Sequence, residues 1–300
     1  MGMKTMDEMI YHEIPLLNQP YLIAGFEGWP NAAEVSSFSL QHLVENLKAK
    51  RFASIPMDNF YQMSSNRPAA IIKDGRLMEL NFPGNHFYYS KDPLGKDLIL
   101  FSGIEPHLRW DIFTDLFLDL AQRFAVHQIF TLGGTYDYIP HTHPPVVSAV
   151  FNREDLRMEV LEAGLNLTEY AGPISIHTFL LEAAGKRGLK AVSLWGHAPR
   201  YLQARNIRVA CGVLKKLSGL MKMELDLSRL ESASDYFDQQ VNDLVNQDPK
   251  LQEMISKLEE AYQKSGRPSP FGKREESKED KVVYIQAFLK RQEDEEKKES

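Results

Sequence analysis

The chain has 300 residues, 43% of them hydrophobic and 10% aromatic, and a formal net charge of −6. That composition supplies a substantial core and excludes wholesale disorder. The mildly acidic balance, with no basic stripe, excludes nucleic acid and an anionic membrane surface as natural partners.

In chain order, residues Met1 to Ile10 include Asp7 and Glu8 and lack the cationic and apolar regions of a secretory signal. Tyr21 to Gly25 is a short apolar run that stops at glycine, and Asn31 opens a segment rich in Ala, Val, Leu and Phe to about Lys48. This reads as strand, loop and helix. The same junction recurs where Asp97 to Ser102 meets Gly103, where His127 to Leu132 meets Gly133 and Gly134, and where Ala191 to Trp195 meets Gly196. Continuous apolar strands separated by helices predict a largely parallel sheet covered on both faces, with glycines at the carboxyl ends of its strands.

Between the first helix and Leu98 the texture changes to short runs, 52–55, 69–72, 77–82 and 87–90, punctuated by Asp74-Gly75, Pro83-Gly84 and Pro93. An antiparallel insertion over about residues 52–92 is expected. Helices are expected at 110–124, 153–163, 177–186 and 205–221, and a polar helical pair at 234–246 and 249–263. The domain plan is therefore a core over 1–225 and a helical extension over 226–265. A charged tail over 266–300 follows, in which 282–289 is an apolar island suited to docking on its own chain or a partner. From Lys273 to Ser300, 17 of 28 residues are charged, too many for that stretch to order itself alone.

No stretch reaches the ~20 continuous apolar residues that a spanning helix needs, and Met6 stands where a myristoylation signal carries Ser or Thr. The single cysteine, Cys211, excludes an intramolecular disulfide and any Cys-x-x-Cys metal site. A cytoplasmic protein without membrane attachment is expected.

Ligands of open parallel sheets bind outside the carboxyl ends of the strands, so the glycine-bearing loops carry the candidate site. The first, Gly25 to Asn31 with Gly28, is either a backbone cradle facing a helix N-terminus or a tight connection with Asn31 as N-cap. The second places Glu105, His107 and Arg109 within five residues, either to bind a carboxylate and move a proton or to brace the loop through an ion pair. The third runs from Gly133 and Gly134 to His141 and His143; zinc would need further ligands that no Cys or HExxH motif supplies. His177 and His197 can reach the same crevice, as catalysts or as satisfied structural histidines. There is no GxGxxG fingerprint, no phosphate loop and no GxSxG elbow, so no cofactor, metal or catalytic triad is expected.

Together, Leu22 to Glu34, Glu105 to Trp110, Thr131 to Gly134, Pro140 to Thr142 and Ser193 to Trp195 with Pro199 and Tyr201 resemble the proteasome assembly chaperone 2-like family, bacterial branch. The resemblance spans about residues 15–262, with Asp248 to Tyr262 fitting a helical C-terminal extension. It implies a three-layer α/β/α, phosphorylase/hydrolase-like core with a mostly parallel mixed sheet, and it implies oligomerisation. Some archaeal relatives engage the proteasome through a C-terminal hydrophobic-tyrosine-any-residue motif, which Lys297 to Ser300 lacks. The expected role is noncatalytic: protein interaction or assembly-chaperone-like work as a homo-oligomer. The alternative is a small-molecule enzyme or sensor using Asn31, His107, Arg109, Gly134 and His141, with Arg109 as anion clamp, a histidine moving the proton and Gly134 as backbone donor.

Overall fold

The computed structural model of the chain describes residues 9–91 and 96–265. The tail 266–300, including the expected docking stretch 282–289, lies outside the described residues. The first half contains β1 (Ile10–Tyr11), β2 (Tyr21–Glu27), α1 (Val35–Asn46), β3 (Lys50–Ile55), β4 (Ala69–Lys73), β5 (Arg76–Asn81), β6 (Asn85–Ser90), β7 (Leu98–Ile104) and α2 (Trp110–Arg123). The second half contains β8 (Gln128–Asp137), β9 (Val147–Phe151), α3 (Arg157–Glu162), β10 (Asn166–Leu167), α4 (Ile176–Lys186), β11 (Ala191–Pro199), α5 (Ile207–Met221), α6 (Ser228–Gln247) and α7 (Pro249–Ser265).

Nine strands form one mixed sheet in the order β1-β3-β6-β7-β2-β8-β11-β9-β10. The four central strands, β7, β2, β8 and β11, are parallel, running in register from Tyr21↔Leu98 to Glu27↔Ile104, from Tyr21↔Gln128 to Gly25↔Leu132, and from Ala191↔Ile129 to Pro199↔Asp137. Their carboxyl ends therefore share one rim. Chain direction explains where that rim opens. From β2 the chain moves to β7 on one side and then crosses to β8 on the other, so the topology switches beside β2.

Side-chain alternation divides the core in two, one cluster against each face of the sheet. Ile23, Leu132, Val192 and Leu194 pack with α1, α3 and α5, while Leu22, Phe26, Phe101 and Ile129 pack with α2 and α4. This makes three layers, and burial on both faces is why the central strands read as unbroken apolar runs. The helices hold their faces by ordinary periodicity: in α2, Phe113, Phe117, Leu120 and Ala121 are all buried. Ser175 and Asn206 cap α4 and α5, their side chains accepting from the His177 and Val209 N–H groups.

One expectation needs correcting. The glycines do not end the strands; β8 runs three residues past Gly134 and β11 three past Gly196. Gly25, Gly134 and Gly196 are small because helical segments lie against them, whereas Gly103 and Gly133 make room for Phe101 and Trp195. A Cβ on Gly134 would run into the Ala32 carbonyl oxygen and stand 2.9 Å from the Val35 Cβ, and one on Gly196 would stand 2.6 Å from a Val209 methyl.

Two parts stand apart from the sheet's centre. Strands β4 and β5 form a separate antiparallel ribbon. Its turn, Asp74-Gly75, has φ of 51° and 75°, the two left-handed residues of a type I′ hairpin. At the other end of the chain, α6 and α7 pack Phe237, Val241, Leu251 and Ile255 around Tyr201 and Leu202.

Candidate ligand cleft

The sequence candidates do not all meet. Gly28 (φ 102°) turns the chain after β2 against Glu105, whose N–H donates to the Glu27 carbonyl at 2.9 Å. The Glu105 carboxylate accepts the Ile176 N–H at 2.8 Å, so it sits at the positive N-terminal end of α4. Burial holds its carboxyl above the ordinary range, an effect that the Ile176 and Trp29 N–H groups offset only in part. Its position is that of a structural clamp between two loops.

His107 serves a different loop. Its Nδ1 accepts the Gln62 N–H at 3.1 Å and its own N–H donates to the Phe60 carbonyl, so it braces the 57–66 loop. Arg109 is exposed and left-handed (φ 55°) at the start of α2. Neither side chain lines the cleft described below.

Asn31 forms a bridge with Gly134, but its side chain does not cap the turn that follows it directly. Residues 32–34 make a 3-10 turn, and the Asn31 amide reaches on to Ser37, accepting its N–H at 3.0 Å and donating to its hydroxyl at 2.9 Å. Ala33 and Glu34 in that turn are both left-handed, at φ 52° and 55°, an arrangement unfavourable for residues with a Cβ. Tyr136 and Asn206 hold it: the Ala33 N–H donates to the Tyr136 hydroxyl at 3.2 Å, and the Ala33 carbonyl accepts the Asn206 N–H at 2.9 Å. The Gly134 N–H is committed to the Pro30 carbonyl at 2.8 Å and serves no ligand. Gly133 makes room for the Trp195 ring.

His141 is a satisfied core histidine. The Tyr201 hydroxyl accepts the His141 N–H at 2.7 Å, so its own proton points to His141 Nδ1, also at 2.7 Å. Nε2 then carries the ring proton and donates to Asn242 Oδ1 at 3.2 Å. Burial lowers its pKa, in keeping with a neutral ring. The contact ties the 138–145 loop to α6, while the His143 ring packs on Tyr262 of α7, 4.8 Å away. The two histidines therefore have separate partners. The anion clamp, proton carrier and backbone donor expected of Arg109, His107 or His141, and Gly134 do not converge.

What does open at the rim is a cleft of about 530 Å³ beyond β8, β11 and β9, bounded by the 168–175 segment and the start of α4. Gly134 and His197 are the sequence candidates in its wall; Trp29, Tyr136, Ser148 and Trp195 join them. His197 is 1% exposed, with Nδ1 2.9 Å from Asp137 Oδ2 and Nε2 2.9 Å from Ser148 Oγ. Asp137 is 4% exposed and its other oxygen accepts the Tyr138 N–H at 2.7 Å. Ser148 and Asp137 were not among the candidates. They stand 49 and 60 positions from His197, and no local motif links them.

Behind the cleft lies a second histidine. His177, fully buried on α4, is flanked by Phe26 and Trp195 at 5.4 and 5.1 Å, with Nδ1 3.4 Å from the Ser193 hydroxyl. Its Nε2 has no hydrogen-bond partner among the described residues. Desolvation drives its pKa far down, so the ring is neutral.

The family model of the PAC2 family matches residues 25–245. A PAC2 family protein from Streptomyces avermitilis is 29% identical, with a TM-score of 0.71 over 79% of this chain and 99% of that one. A proteasome-assembly chaperone homologue from Mycobacterium tuberculosis is 26% identical, with a TM-score of 0.72 over 78% of this chain and 99% of that one. An archaeal proteasome activator from Pyrococcus furiosus shares the fold at 22% identity, with a TM-score of 0.64 over 79% and 98%. No curated protein matches.

Proposed function

This chain belongs to the PAC2 family, and from that premise we propose that it is a protein-interaction component of the assembly-chaperone kind, acting in the cytoplasm as a homo-oligomer in a role that requires no chemistry. The observation that carries the reading is the β4–β5 ribbon. Every residue from 69 to 82 is exposed, among them Ile71, Ile72, Leu77, Met78, Leu80 and Phe82, with Ile72 at 65%. A two-stranded ribbon is marginal in water by itself. A concentration of exposed large apolar side chains with open strand edges marks an interaction surface.

A second copy of the chain is the occupant favoured by the ribbon's own chemistry. Lys73 and Arg76 alternate with Asp74 and Glu79 around the apolar residues, so two ribbons related by a twofold axis can match opposite charges while burying their apolar faces. Likeness to the M. tuberculosis proteasome-assembly chaperone homologue supports an interaction role of this class. The single described cysteine, buried Cys211, supports a reducing compartment.

The test is native mass spectrometry of the full chain beside an Ile72→Asp, Leu80→Asp variant. The wild type is expected as a discrete oligomer and the variant as a monomer with unchanged far-ultraviolet circular dichroism. A monomeric wild type, or a variant that keeps the oligomer's mass, would refute the assignment to this ribbon.

A further inference from the structure

We propose that Ser148, His197 and Asp137 form a nucleophilic relay that gives the cleft an acyl-transfer activity toward uncharged esters. This goes beyond the interaction role and does not depend on it.

The geometry sets the roles. Asp137 is an acceptor when ionised; with Oδ1 held by the Tyr138 N–H, its Oδ2 accepts the hydrogen bond that His197 Nδ1–H donates. His197 Nε2 is then the free lone pair, and the hydroxyl 2.9 Å from it belongs to Ser148 in the cleft wall. Nucleophile, base and orienting carboxylate thus come from three adjacent strands, β9, β11 and β8, as rigid a mounting as the fold offers. Such a relay is recognised by geometry and not by sequence order, so the lack of a GxSxG elbow does not weigh against it.

A histidine buried for packing alone also gains from partners on its nitrogens, but a neutral carbonyl would serve Nδ1 at less desolvation cost than a carboxylate 4% exposed. A carboxylate there is accounted for by the imidazolium that forms when His197 takes the Ser148 proton. A second observation points to a ligand. Thr168 Oγ1, in the cleft wall, is buried with no hydrogen-bond partner among the described residues, a polar group left for whatever fills the space.

The lining selects the substrate class. Among the described residues none that lines the cleft is Asp, Glu, Lys or Arg, while Trp29, Tyr136, Tyr170 and Trp195 give it aromatic walls. Its volume of about 530 Å³ suits a small neutral ester. In the proposed reaction Ser148 Oγ bonds to the ester's carbonyl carbon as its proton passes to His197 Nε2. The carbon–alkoxy bond then breaks, and the departing alcohol takes that proton, leaving the acyl group on Ser148. Water attacks the acyl carbon, its proton passing to His197 and then to Ser148 Oγ as that bond breaks, releasing the carboxylic acid and restoring the relay.

The experiment treats the full chain with an alkyl fluorophosphonate, maps the adduct by peptide mass spectrometry and follows p-nitrophenyl butyrate hydrolysis. The expected result is phosphonylation at Ser148 with loss of fluoride. Ester hydrolysis should fall at least about 100-fold in Ser148→Ala and in Asp137→Asn, with the oligomer mass of Ser148→Ala unchanged. No adduct on wild-type Ser148, an adduct only on other serines, or hydrolysis equal in wild type and Ser148→Ala would overturn the proposal. The wild-type labelling decides the matter even where a variant fails to fold.

Discussion

His177 supplies a stability experiment whose size follows from its surroundings. The fold lowers its pKa from the ordinary 6.5 to about 3 because nothing in its pocket replaces the water that would solvate a charged ring. Below pH 6.5 the unfolded chain binds a proton on this side chain that the folded chain refuses. Unfolding therefore takes up one more proton throughout the window between the two pKa values, and stability falls as the pH falls. The slope is about 1.4 kcal/mol per pH unit. From neutrality to pH 4.5, two units inside the window, His177 alone should remove roughly 3 kcal/mol, and above pH 6.5 it should remove nothing.

His177→Leu deletes the titration while keeping a side chain of similar volume between Phe26 and Trp195; the hydrogen bond it gives up is a long one, 3.4 Å to Ser193. At pH 7.5 the variant should lie within about 1.5 kcal/mol of wild type. Urea melts at stepwise lower pH should then show the wild type losing roughly 3 kcal/mol more than the variant by pH 4.5. His42, His86, His127 and His141 also have pKa values lowered by burial, but they titrate in both proteins and cancel in the comparison. Parallel pH profiles for the two proteins would show that the folded state accepts the proton, which refutes the reasoning.

Two further substitutions test the walls of the rim. Gly134→Ala should cost about 1–3 kcal/mol by urea denaturation, because the new methyl meets the backbone oxygen of Ala32, which cannot rotate away; a neutral result would show that the 32–34 turn yields. Glu105→Ala should cost a similar about 1–3 kcal/mol by stranding the Ile176 N–H at the head of α4, while Glu105→Gln, which keeps an acceptor, should recover most of it. Equal losses in the two Glu105 variants would assign the effect to charge and not to the hydrogen bond.

Much of the framework was legible from the chain because burial on both faces leaves few ways to write a central parallel strand. The runs at 21–27, 98–104 and 191–199 are apolar for that reason, and Asp74-Gly75 is a turn that admits few structures other than a hairpin. Short edge elements were less legible. Strand β9 has only five residues, follows Pro144 and Pro145, and pairs with a strand more than 40 positions away, so no local period announces it. The glycines are conspicuous in the sequence, but Gly25, Gly134 and Gly196 mark where α1, the turn before it and α5 press on the sheet, and Gly103 and Gly133 where a neighbouring ring does, tertiary facts that no strand pattern contains.

The same distinction decides the site. Arg109 and His107 drew notice as reactive types crowded into one loop, yet that loop is occupied with holding residues 57–66 and starting α2. The groups that meet at the cleft, Asp137, Ser148 and His197, are spread along the chain and meet because β8, β11 and β9 are neighbours. The apolar ribbon lies elsewhere, inserted between β3 and β6, on the other side of β2 in strand order. Perturbations at two sites without shared contacts act independently. The ribbon variant should thus keep a reactive Ser148, and Ser148→Ala should keep the oligomer; a variant at either place that abolished both properties would mean the two sites are one machine.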